Sequence, residues 1–137
     1  MEHLELITDM ADVYGSSWTY YQFKSFGDYS HQYGETATMG MYNEKGVLDF
    51  SKYEVLTRAY APYIQGSVMH KYFDTENAIF ILQYMVDTSI NAATEIYLNS
   101  KEHFRGGYKF SLNLGEDDHK FRTQINEADP NYLKIKI

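Results

Sequence analysis

The stretch Ser16-Ser17-Trp18-Thr19-Tyr20-Tyr21-Gln22-Phe23-Lys24 puts the only tryptophan of the chain in a run of aromatic side chains, directly after a helical pattern. Ahead of it, Leu4, Ile7 and Ala11 fall on one helical stripe and Leu6, Met10 and Val13 on the adjacent one, and Gly15 closes the pattern. A helix handing over to a strand is half of an α/β repeat. The expected strand Trp18–Phe23 carries aromatic residues on both faces, as strands covered on both sides do. No earlier strand precedes the helix, so a parallel neighbour would have to come from outside this sequence.

The middle of the chain reads differently. Residues 26–46 are polar and rich in Gly, Tyr, Ser and Thr, which predicts a long loop with a turn at Asn43-Glu44-Lys45-Gly46. Asp49 or Ser51 can cap a second helix whose apolar residues are Phe50, Tyr53, Val55 and Leu56, ending before Ala61-Pro62. After Gly66 the period changes to that of strands. Strands are expected at 67–73, 78–86, 94–98, 108–114, 121–125 and 132–137, separated by turns at 74–77 and 115–118 and by the Gly106-Gly107 pair. Short, evenly spaced antiparallel strands argue for a β-sandwich. No internal repeat or low-complexity tract is visible.

Composition narrows the function classes. A chain of 137 residues is long enough for one domain with a core, or for a piece of a larger one. Its 19 acidic against 12 basic side chains give a net charge of -7 without a basic cluster, which repels a phosphate backbone and excludes nucleic acid as an expected partner. No apolar run approaches the roughly 18 residues of a spanning helix, and the first residues lack the basic-then-apolar pattern of a signal peptide. The expectation is a soluble chain without a targeting address, and the compartment stays open. Zero cysteines exclude disulfides and thiolate chemistry. His3, His31, His70, His103 and His119 are too dispersed for a metal triad, so neither metal nor cofactor is expected.

A resemblance joins these observations. Ser17-Trp18-Thr19-Tyr20-Tyr21-Gln22-Phe23-Lys24, then Gly46, a short helix and Arg58-Ala59-Tyr60-Ala61-Pro62-Tyr63-Ile64-Gln65-Gly66, is similar to the end of an endoglycoceramidase-like glycoside hydrolase of family 5. Beyond it, Tyr72-Phe73-Asp74, Phe80, Thr94-Glu95-Ile96-Tyr97-Leu98 and His103-Phe104-Arg105-Gly106-Gly107-Tyr108 resemble the C-terminal β-sandwich of those enzymes. The fold this implies is an α+β fragment. Residues 1–62 would be the last helix, strand and helix of a (β/α)8 barrel (TIM barrel), and residues 63–137 an appended antiparallel β-sandwich.

The resemblance implies a retaining glycosidase that cleaves the β-glycosidic bond of glycosphingolipids or related β-glucosides, in a full-length parent whose substrate sits at a membrane surface. Relatives of this type are often secreted or lysosomal. The chemistry needs two carboxylates about 5–5.5 Å apart, and the family supplies them from the fourth and seventh barrel strands, outside this sequence. The chain is therefore expected to hold no catalytic residue and to be inactive alone. Glu35, Glu44, Glu95 and Asp117-Asp118 are read as solvated or structurally paired carboxylates. Trp18 and Tyr21 are the expected substrate contacts, because barrel active sites lie at the C-terminal strand ends, where an aromatic face can stack on a sugar ring. The family usually has a second tryptophan where this chain has Tyr21, which keeps the platform with less area. Tyr29, Tyr33 and Tyr42 are read mainly as packing residues. The alternative is a non-catalytic carbohydrate- or protein-binding β-sandwich module.

Overall fold

Helix α1, Glu2–Val13, opens the computed structural model, which describes residues 2–24, 39–43, 45–114, 122–125 and 129–137. Its C-terminus is closed by hydrogen bonds from Ser16 N to Ala11 O (2.8 Å) and from Gly15 N to Asp12 O (3.1 Å). That pair of bonds needs a left-handed residue at Gly15, whose φ is +64°. Helix α2, Phe50–Leu56, is capped by Asp49, whose carboxylate accepts from Lys52 N and from Ser51 Oγ. The cap satisfies an amide that the first helical turn leaves without a partner.

Six strands follow: β1 Tyr60–Tyr63, β2 Gly66–Asp74, β3 Ile79–Val86, β4 Thr94–Tyr97, β5 Arg122–Ile125 and β6 Tyr132–Lys136. They form an antiparallel four-stranded sheet in the order β1-β4-β6-β5 and an antiparallel β2-β3 hairpin. Alternation places Ile96 and Leu98 inward and Glu95 and Tyr97 outward on the β4 side, with Leu133 and Ile135 inward from β6. Phe73 of β2 is fully buried and joins Ala59, Ile96, Leu98, Leu133 and Ile135 in one core, so the hairpin and the four-stranded sheet share an interior. Burying a side chain of that size contributes about 1.5–3 kcal/mol.

A buried polar link ties Ile137 into this core. Gln65, 2% exposed, donates from Nε2 to the carbonyls of Ile90 and Ile137 and accepts at Oε1 from Ile137 N. Its own amide donates to Thr94 Oγ1, which in turn donates to the Tyr84 hydroxyl. These partners leave the Gln65 side chain satisfied at both ends, as a buried amide requires.

Three expectations need correction. The segment Trp18–Phe23 forms no strand among the described residues; beside it, Lys24 makes an isolated bridge to Tyr42, which bridges in turn to Leu48. Among the described residues no strand lies alongside it, and alternation in the sequence cannot reveal whether one does. Residues 108–114 are likewise outside any strand, although Tyr108 and Leu112 pack against the core. Tyr60–Tyr63, expected only as the end of a helical stretch, is a strand that pairs with β4, and its Pro62 fits because β1 is the edge of the sheet. Of the two apolar stripes of α1, only Ala11 is buried. Leu6, Ile7, Met10 and Val13 are exposed, while Thr8, Ala11 and Asp12 are buried.

Candidate functional site

The aromatic segment is held by backbone bonds rather than by a sheet. Gln22 O accepts from Met41 N and Phe23 O from Tyr42 N, and Asp49 N donates to Met41 O, so residues 39–43 bridge the segment to the start of α2. The turn that follows is built by Asn43, whose Oδ1 accepts from Lys45 N and Val47 N. Tyr20 turns inward and donates from its hydroxyl to Met39 O at 2.6 Å. Its phenol pKa is raised, first by burial, against the lowering effect of Lys52, with Asp49 adding to the rise.

Trp18 and Tyr21 lie on the solvent side, 38% and 54% exposed, together with Phe23, which packs edge-on against Tyr42 at 5.1 Å. The Tyr21–Gln22 peptide is cis. Two aromatic side chains open to solvent can stack on an apolar ligand face, and their polar tips can hydrogen-bond. Of the other residues weighed from sequence, Glu35, Glu44, Asp117, Asp118, Tyr29, Tyr33, His31 and His119 lie outside the described residues. Glu95 is paired with Lys134 across β4 and β6 on the outer sheet face. Among the described residues, no three His, Asp or Glu side chains cluster as metal ligands would.

Arg58 entered the sequence reading only as part of the resembling segment, without a role of its own. It follows α2 directly, its side chain is 4% exposed, and it fastens α1 to the β domain. Nε and Nη2 donate to Asp12 Oδ2 at 3.0 and 2.9 Å, Nη1 to Thr8 Oγ1 at 3.1 Å, and Nη2 also to Asp9 Oδ1 at 2.7 Å and Phe73 O at 2.8 Å. The guanidinium carbon lies 5.5 Å from the centroid of the Phe73 ring. This hub explains the buried side of the helix: a buried charge needs partners more than an apolar stripe needs cover, and Thr8, Asp9 and Asp12 supply them. The signal was present as polar residues at i, i+1 and i+4 beside a lone Arg flanked by buried positions, but only folding shows that they meet.

Across the outer face of the four-stranded sheet runs a row of phenols. Tyr97 of β4 packs against Tyr60 of β1 at 5.2 Å and against Tyr132 of β6 at 5.4 Å. Burial raises the Tyr97 pKa, and the neighbouring Tyr60 and Tyr132 hydroxyls raise it further. Beside α2, a groove of about 320 Å3 is lined by Phe50, Glu54, Glu102, His103 and Arg105.

Fold and site thus define an α+β unit in which an antiparallel β part, beginning with β1, is fastened through Arg58 to a helical segment followed by solvent-facing aromatics. Its described carboxylates near the hub and caps serve as structural ion-pair and hydrogen-bond partners. Residues 58–136, more than half of the chain, match the model of the glycoside hydrolase family 5 C-terminal domain, and the chain belongs to that family. No curated protein and no solved structure matches it.

Proposed function

We propose that this chain is the C-terminal part of a retaining glycoside hydrolase of the endoglycoceramidase type, acting on the β-glycosidic bond of glycosphingolipids at a membrane surface. In this reading the residues ahead of the family match complete a (β/α)8 barrel, and the matched residues 58–136 form the β-sandwich appended to it. The boundary expected at residue 62 thus moves ahead of β1, and Trp18 and Tyr21 contact the sugar. The two catalytic carboxylates come from other strands of the barrel, so the chain alone does not turn over substrate.

The observation that carries the reading is the exposed apolar side of the helical segment. Leu6, Ile7, Met10, Val13, Trp18, Tyr21 and Phe23 are each more than a third exposed, and all lie in the part of the chain that precedes the family match starting at residue 58. A surface of this kind is what neighbouring barrel strands and helices would cover. The membrane and ceramide parts of the proposal rest on the resemblance of the Trp18–Lys24 and Arg58–Gly66 segments.

The test is made on the parent. Its upstream coding sequence should supply the remaining β/α units, with a glutamate after the fourth and the seventh strand. The parent should hydrolyse a fluorescent glucosylceramide, and Tyr21→Ala should lower kcat/KM by roughly threefold to tenfold, the value of one lost aromatic contact. Turnover by the isolated 137-residue chain would overturn the division of labour. Unchanged kinetics in the variant would remove Tyr21 from the site.

A further inference from the structure

The groove beside α2 is lined by groups that are only partly used by one another. Phe50 occupies the first position of the helix yet is 58% exposed, and its ring meets Tyr53 at a tilt, with centroids 5.7 Å apart, so one face stays open. Opposite stands the turn at residues 99–107, which is rigidly held. Asn99 Oδ1 accepts from Lys101 N and Glu102 N, and Asn131 Oδ1 accepts from Ser100 N and Oγ. His103 is fixed by an edge-on contact with buried Phe73 at 5.0 Å and lies 3.2 Å, through Nε2, from Glu54 O. Glu102 accepts from Arg105 Nη2 at 2.9 Å and from the Tyr53 hydroxyl.

Two polar groups of the groove lining remain unused among the described residues. The Glu54 carboxylate has no hydrogen-bond or ion-pair partner, and Arg105, anchored by Nε to Lys101 O at 2.6 Å, keeps Nη1 unengaged. An open aromatic face, a carboxylate acceptor and a guanidinium donor around one groove match a sugar ring. Its C–H face is apolar, and its neighbouring hydroxyls both donate and accept. Charge narrows the choice further. Glu102 is neutralised by Arg105, Glu54 is not, and the chain carries a net charge of -7, which disfavours phosphorylated or acidic ligands. The tyrosine row is the weaker platform, because Tyr97 and Tyr132 pack edge to face on one another.

We propose that the groove formed by Phe50, Glu54, Glu102, His103 and Arg105 binds a sugar unit of a neutral oligosaccharide, with the Phe50 ring as stacking surface and Glu54 and Arg105 holding its hydroxyls. This site is separate from Trp18 and Tyr21 and does not depend on the catalytic reading. It requires only that α2 and the 99–107 turn pack as they do here.

The experiment is saturation-transfer NMR on the 137-residue chain with lactose and with cellobiose at millimolar concentration, followed by amide shift mapping. Saturation should pass to the ring protons of at least one sugar, and shifts should concentrate at residues 50–54 and 99–107. Phe50→Ala should weaken that binding roughly threefold to tenfold, and Glu54→Gln should weaken it about tenfold. Because Phe50 and Glu54 are exposed, both variants should keep the parent melting curve, and Glu54→Gln serves if Phe50→Ala does not fold. Absence of transfer from both sugars, shifts confined to residues 18–23, or unweakened binding in both variants would overturn the proposal. Turnover by the parent enzyme is read separately, so either reading can fail without the other.

Discussion

Replacing Arg58 with Met isolates the contribution of the buried hub. The substitution keeps an unbranched apolar stem of similar reach and removes five donated hydrogen bonds: two to Asp12 and one each to Thr8, Asp9 and Phe73 O. Asp12, only 7% exposed, is then left as a buried carboxylate, and breaking a buried pair in this way costs about 3–5 kcal/mol. The lower end applies, because Lys71 Nζ lies 3.9 Å from Asp12 Oδ1 and supplies partial compensation. With a urea slope of about 2 kcal/mol/M, a loss of about 3 kcal/mol moves the unfolding midpoint down by about 1.5 M. The reasoning makes a second demand. Asp12→Leu in the Arg58→Met background should recover most of the loss, since the cost lies in the orphaned charge rather than in the missing pair. A single variant within about 0.5 kcal/mol of the parent chain, or a double variant no more stable than Arg58→Met, would refute it.

Two further predictions concern the backbone and the helix cap. Gly66 has φ +144°, and a Cβ there would stand 1.8 Å from Met85 O, a backbone atom fixed in the β2-β3 ladder. Gly66→Ala should cost about 3 kcal/mol and lower Tm by about 10 °C, and an unchanged melting curve would show that the hairpin register is wrong. Asp49 is held at about 2, first by its hydrogen bond from Ser51 and then, against the opposing effect of burial, by Lys52. The folded-state value lies below the unfolded one, so the stability from Asp49 is full above about pH 4 and is lost as pH falls through about 2. Its side chain is 38% exposed, which limits the effect to about 1 kcal/mol or less. Asp49→Asn should keep the cap and flatten the acid limb of a melting-temperature profile, and an unaltered acid limb would exclude Asp49 as its source.

Local chemistry made much of this protein legible from its sequence. The Gly15 stop, the Asn43–Gly46 turn, the Asp49 cap and the strands β2, β3, β4, β5 and β6 follow from side-chain period and from capping and turn residues, which act over a few positions. The antiparallel β part and the family resemblance were legible for the same reason.

Tertiary structure decided whatever depends on a distant partner. Trp18–Phe23 and residues 108–114 alternate like strands, yet alternation does not provide a neighbour to bond with. Tyr60–Tyr63 became a strand because β4 lay alongside it, despite Pro62. The apolar stripe of α1 was correctly seen, but the helix turned its Thr8 and Asp12 side inward, because Arg58, some 46 positions from Asp12, is buried and must be paired. The groove likewise joins α2 to a turn that follows β4 in the chain. A sequence fixes which groups carry charge, ring or hydroxyl. Which of them share a desolvated space is set by packing, where the cost of an unpaired charge exceeds that of an exposed leucine.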